Sequence, residues 1–248
     1  MMFQLRLLKQ RLEQHARLAP ILRRIQVRLK TRGNQYHIHG QRNRIVVEDA
    51  MLRNVVFDIV GEDNLITLEP GCQIKGFLFR VRGTGHHLSV GRNCSFGGGS
   101  IWAEDSECVL TIGAGTTIEE AHIAVTEPGT RIEIGRGCMC AQRIVIRSGD
   151  SHSILDAASG RRLNHARDVH IGDRVWLPAG VQVLKGVSIG EDSAIGTQAV
   201  VTKSIPAGSV AAGSPARVIR SGIRWDRQRI YGDDGSQKEK LLEGTATT

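Results

Sequence analysis

The chain repeats on a ruler. Val46, Leu68, Val90, Ile112 and Ile134 stand 22 residues apart, and the segments that start there read VVEDAML, LEPGCQI, VGRNCSF, IGAGTTI and IGRGCMC. Eleven residues on come Phe57, Phe79, Ile101, Ile123 and Val145; twenty on come Ile66, Leu88, Leu110 and Ile132. Beyond residue 170 the ruler shortens, and Ile171, Leu177, Val183, Ile189, Ile195 and Val201 are six residues apart. A helix needs apolar spacing near 3.6 and a half-buried strand needs 2. Six fits neither alone. It fits a coil of three short strands, each pointing an aliphatic side chain inward before the chain turns a corner. The 22-residue units are then the same coil with about four extra residues at one corner, where GED (61–63), GTG (83–85) and EPG (127–129) fall. The period predicts an all-β parallel solenoid. Roughly eight coils at ~4.8 Å per coil make a rod of ~40 Å.

Composition agrees with so thin a prism. Aromatic residues are only 4% of the chain, and the 29 glycines are spread along it rather than gathered in a linker. Cys72, Cys94 and Cys138 keep the 22-residue ruler, with Ala50 and Thr116 in the same column, and so read as small core residues. Five cysteines without a CxxC pair suit a reducing cytoplasm.

The net charge of +8 sits at one end. Residues 1–32 hold nine basic residues and one acid, Glu13, so the remaining 216 residues balance to zero. That excludes a general nucleic-acid-binding body, which needs its own basic patch. The segment FQLRLLKQRLEQHARLAPILRRIQVRLK reads as a short amphipathic α-helical segment broken near Pro20. It caps the first coil or turns a basic face to an anionic membrane surface or an acidic glycan, and the two roles are compatible. No apolar run is long enough to span a membrane, and no secretory leader is visible. The expectation is a cytoplasmic protein, with residues 1–32 open to a peripheral seat at the inner face of the membrane. The chain divides into that segment, a solenoid over 33–220 and a polar tail over 221–248.

Between Arg147 and His170 the solenoid pattern lapses. A regular coil has no room for a stretch of about 20 residues, so it is a functional loop rather than a corner. It reads SGDSHSILD over 148–156, with His152 between Asp150 and Asp156, then Arg162-Leu163-Asn164. The chain regains its period at IGDRVW, 171–176. These motifs, with the closing run VVTKSIPAGSVAAGSPARVIR (200–220), resemble the left-handed β-helix, hexapeptide-repeat acyltransferases. They are most similar to the bacterial capsule and polysaccharide O-acetyltransferases. The likeness is specific over about 134–220, extends to 46–133 only as coil repeats, and leaves out residues 1–32. Trp176-Leu177-Pro178 departs from the Trp-Ile-Gly often seen in that family.

The resemblance implies a left-handed coil and a homotrimer. It implies His152 as the catalytic histidine with Trp176 near it. It also implies a coenzyme A channel between neighbouring subunits, lined by Ala179, Thr197, Thr202, Lys203 and Arg220. The chemistry of the residues points the same way. Acetyl transfer from acetyl-CoA to a sugar hydroxyl needs a base, and histidine can take the proton and return it to the leaving thiolate. Asp150 or Asp156 is placed to hold its tautomer, and a backbone N–H or the Trp176 indole to meet the oxyanion. Lys203 and Arg220 suit the phosphates of the coenzyme, and Arg162 and Asn164 suit the acceptor. No serine or cysteine nucleophile is needed, so direct transfer in a ternary complex is expected, with no metal.

Nothing in the residues names the sugar. A capsular or surface polysaccharide is favoured on the motif likeness, and a small sugar or nucleotide-sugar is the alternative acceptor. Two other readings share the fold. A gamma-type carbonic anhydrase-like hydratase would use His165 and His170 but lacks a third histidine one coil away; a non-catalytic glycan-binding solenoid would have no use for His152.

Overall fold

In a computed structural model that describes residues 32–231, the chain folds as a β-solenoid of 24 strands, with no helix among the described residues. The helix expected in 1–32 and the end of the polar tail lie outside the described residues. Three sheets form the sides of the prism. Sheet I has eight strands, sheet II seven and sheet III nine. Each coil gives one strand to each sheet: β4 (Val56–Val60), β5 (Leu65–Leu68) and β6 (Gln73–Lys75) are followed by β7 (Phe77–Thr84), β8 (His87–Val90) and β9 (Ser95–Phe96). Strands of successive coils pair in parallel, so each coil hydrogen-bonds the next.

The core is a set of columns. Phe57, Phe79, Ile101, Ile123, Ile146, Val183 and Val201 stack along sheet I, all fully buried. The Phe57 and Phe79 rings lie 5.0 Å apart and nearly parallel. Two ends of the expected columns shift by one residue. Val47, not Val46, pairs with Leu68, and Ile146, not Val145, continues from Ile123. The first coil is one residue short and the coil after Ile123 one residue long. Strand side chains alternate, so keeping the ruler there would turn the wrong face inward. Val145 accordingly lies half-buried on the outside.

The extra length of the 22-residue coils sits where the sequence places it. From Phe79 on sheet I to Val90 on sheet II is eleven residues, whereas the six-residue spacing holds from Val183 to Ile189. A buried polar ladder fills that wide corner. Asn64 Nδ2 donates to Gly83 O (2.9 Å), while its Oδ1 accepts from His86 N (3.0 Å). His86 Nδ1 accepts in turn from Cys108 N (3.2 Å). The corner between sheets II and III holds the cysteine column. Cys72, Cys94 and Cys138 each donate to a glycine carbonyl of the next coil at 3.2 Å, and Thr116 Oγ1 does so at 2.9 Å. A Cβ on one of these glycines, Gly113, would stand 2.6 Å from Arg136 N, so only glycine allows the coils to close there.

At the C-terminal end, β23 (Ser209–Gly213) and β24 (Ala216–Ser221) form the one antiparallel pair among the described strands. The chain then returns along sheet III. Arg227 reaches Thr117 Oγ1 (3.0 Å) and Cys138 O (2.8 Å), two successive coils away from its own.

Candidate functional site

The interruption leaves the solenoid at the corner between sheets I and II, after β16 (Ile144–Arg147) and before β17 (Val169–Ile171). Within it the chain makes a small hairpin: Leu163 N donates to Ile154 O (2.8 Å) and Asp156 N to Arg161 O (2.8 Å). Asn164 is the hub. It is 8% exposed, its Oδ1 accepts from Ile154 N (2.7 Å), and its Nδ2 donates to Asp150 Oδ2 and to His152 O, both at 2.8 Å. Cations and anions of neighbouring coils pin the hairpin from both sides. Arg162 forms a bidentate pair with Glu127 of the EPG corner in the coil before. Lys185, in the coil after, bonds the Asp150 carboxylate and Asn164 O (2.9 Å). Lys185, with help from Asn164, holds the Asp150 carboxyl below the usual carboxylate range.

His152 sits exposed at the head of this construction. Its backbone carbonyl is tied down by Asn164, while its imidazole makes no hydrogen bond to any described residue of the same chain. Neither expected carboxylate holds it: Asp150 is committed to Lys185 and Asn164, and Asp156 accepts from Ser159 N and Ser159 Oγ, both at 2.7 Å. Arg162 and Asn164, expected at the acceptor, are spent on Glu127 and on the loop itself. Both hold the loop in place.

Trp176 lies on sheet III, paired with Met139 and Ala194, and is 36% exposed. Pro178 keeps the backbone path: Gly180 N still reaches Gln142 O of the previous coil (2.9 Å). Trp225, from the returning tail, packs at 6.0 Å from Trp176 and donates its indole N–H to Arg174 O. Sheet III is the side of the prism opposite the corner that carries His152. With the loop pinned at that corner, one chain does not bring the two together. The other expected residues are likewise distributed. Ala179 and Thr197 lie at the corner between sheets III and I, where Gln198 N donates to Ala179 O (2.9 Å). Thr202 and Lys203 are exposed at the corner between sheets I and II, one coil beyond Lys185. Arg220 is exposed on β24.

Three residues of this assembly escaped the sequence reading. Lys185 had a signal, because Arg167, Lys185 and Lys203 are eighteen residues apart and so share one corner. Trp225 had one too, as a lone tryptophan in a polar stretch. Glu127 had none beyond its place in EPG. His165 is exposed, His170 Nδ1 lies 3.1 Å from Glu133 Oε2, and no third metal-ligating side chain joins them among the described residues.

Comparison with known proteins decides the family. Residues 168–203 match the family described as bacterial transferase hexapeptide (six repeats). The chain is 33% identical over 154 residues to the polysialic acid O-acetyltransferase of Neisseria meningitidis, covering 62% of this chain and 71% of that protein. The chain belongs to the hexapeptide-repeat acyltransferases. It is also 32% identical over 151 residues to the polysialic acid O-acetyltransferase of Escherichia coli O1:K1 / APEC, covering 60% of this chain and 48% of that one. The crystal structure of the polySia-specific acetyltransferase NeuO superposes with a TM-score of 0.75 at 28% identity, over 85% of this chain and 99% of that one. The likeness of this acyltransferase to NeuO therefore takes in the long N-terminal coils as well as the six-residue ones, and with it the left-handed β-helix.

Proposed function

We propose that this acyltransferase moves an acetyl group from acetyl-CoA to a hydroxyl of an acidic capsular polysaccharide, with His152 as general base. The carrying observation is the pinned loop. It holds an unencumbered imidazole in the SGDSH segment, in a chain one-third identical to a polysialic acid O-acetyltransferase. His152 takes the proton of the acceptor hydroxyl as its oxygen attacks the thioester carbonyl. The C–O bond forms, the C–S bond breaks, and the proton passes to the leaving thiolate. Acceptor and donor are bound together and no acyl-enzyme forms.

The enzyme works as a homotrimer. The loop of one chain meets sheet III of the next, where the Trp176 indole N–H is free among the described residues to meet the oxyanion. Two observations support this arrangement. The loop and Trp176 lie on opposite sides of one prism, and the hairpin exposes Ile154, Leu155 and Leu163, each more than half accessible. Lys203 and Arg220, exposed and without a described acidic partner, take the coenzyme phosphates. The test is thiol release from acetyl-CoA with polysialic acid, neutral dextran and free sialic acid as acceptors. Turnover on polysialic acid is the expected result. Turnover on none of them, or only on dextran, overturns the reading.

A further inference from the structure

The outer face of sheet I carries a ladder of side chains with no part in the chemistry above. In register on successive coils stand Arg80, Trp102, Ala124 and Arg147. The Arg80 guanidinium lies 4.8 Å over the Trp102 ring. Trp102 meets His122 edge-on at 5.1 Å, and His122 Nδ1 is 2.9 Å from Ser100 Oγ. Ala124 points outward yet is only 2% exposed, so it floors a notch between the large side chains on either side.

Arg80 Nε and Arg147 Nε are both buried and both lack a hydrogen-bond partner among the described residues. Donors in that state are rare in a finished fold, because each has given up water for nothing. The acid next to Arg80 in the ladder, Asp58, is already engaged by Arg82. Glu104, one column over, makes no ion pair with either arginine among the described residues. Arg80, Arg82 and Arg147 outnumber Asp58 and Glu104 on this face, which leaves it a net positive charge beside one aromatic surface. Donors with an aromatic plane fit a carboxylate borne on a sugar ring.

We infer that the outer face of sheet I is a track for an acidic polysaccharide, which holds the polymer away from the reacting sugar and leads it to the loop. This rests on the reading of the acceptor as an acidic polymer. Arg80 and Arg147 are three coils apart, ~14 Å at the sheet spacing, which is longer than one monosaccharide. The track ends at the site: Arg147 Nη2 bonds Ser151 Oγ (2.9 Å), the residue before His152.

The test uses Arg80→Gln, Trp102→Ala and the double variant in the full-length enzyme. KM for long-chain polysialic acid should rise about tenfold per lost contact, with kcat unchanged. Turnover of a sialic acid dimer, too short to reach the track, should stay at the wild-type rate. Titration of His152→Ala enzyme with polysialic acid should show the same loss of affinity when Arg80→Gln is added, whether or not turnover is detected. An unchanged KM and affinity for the polymer overturns the track while leaving the acetyltransferase reading intact. So does light scattering in which the variants lose their oligomeric state, because the face is then a subunit contact. A wild-type enzyme that acetylates no sialic acid acceptor overturns the functional reading instead.

Discussion

Asn164 spends its whole amide inside the loop. Its oxygen fixes Ile154 N, and its nitrogen fixes His152 O and Asp150. Removing it leaves two backbone groups of a half-solvated loop without partners and frees the carbonyl of the candidate base. Asn164→Ala should therefore lower kcat by about tenfold or more while KM for acetyl-CoA stays nearly level, since the imidazole is displaced rather than lost. His152→Ala should cost about 10²–10⁴ in turnover, the range for removing a general base, with thermal stability unchanged because the side chain is exposed. Steady-state kinetics on the two variants separates the roles. A His152→Ala enzyme near the wild-type rate would place the base elsewhere. The exposed seat of His152 in an excursion loop was legible from its motif. The work of Asn164 was not, because residue type and spacing do not say whether an amide turns inward to the backbone or outward to a ligand. Asp150 and Asp156 misled for the same reason: flanking a histidine in sequence does not aim a carboxylate at it.

At the scale of the strand and corner, the ruler carried nearly all the architecture. The six- and twenty-two-residue periods located the three sheets, the wide corner and the excursion. They slipped only at Val46 and Val145, where a single residue is missing or added. What periodicity cannot show is the polar ladder in the wide corner, because a buried histidine and a surface one look alike in sequence. His86 is fully buried, and its two ring nitrogens have opposite duties. Nε2 lies 3.2 Å from Arg82 O and carries the proton, while Nδ1 accepts from Cys108 N. A second proton has nowhere to go, and burial pushes the His86 pKa down. The unfolded chain takes that proton near pH ~6.5 and the folded one only at a lower pH. Stability is therefore full above that pH and is lost as pH falls below it. His122, also lowered chiefly by burial, adds in the same direction. His86→Asn keeps one donor and one acceptor, as Asn64 does one coil earlier. It should cost about 1–3 kcal/mol at pH 8. Denaturant melts at pH 8 and 5.5 should show a smaller stability loss on acidification in the variant than in wild type. An equal loss would mean that His86 is not the group that takes the proton.

The solenoid as a whole is a rod with its candidate base on one corner and its candidate oxyanion donor on the opposite side. That geometry makes a prediction that a single-chain site does not. If each site joins His152 of one chain to Trp176 of the next, a trimer refolded from equal amounts of His152→Ala and Trp176→Ala chains contains intact sites. A site is whole when a Trp176→Ala chain gives the loop and a His152→Ala chain gives the face. Random assembly produces that pairing at about one site in four around a closed ring. The mixture should then recover about a quarter of wild-type turnover, well above either variant alone. The gain should appear only after co-refolding, not when two finished samples are mixed and assayed at once. Each chain supplies what the other lacks, so no third protein is required, and the exposed Ile154, Leu155 and Leu163 should be covered in the same assembly. Replacing the three with serine should leave the coils folded, lower the mass seen by light scattering and abolish the recovery. A co-refolded mixture no more active than the mean of its two parents would place His152 and its partner groups within one chain, and the loop would have to swing around the prism to reach them.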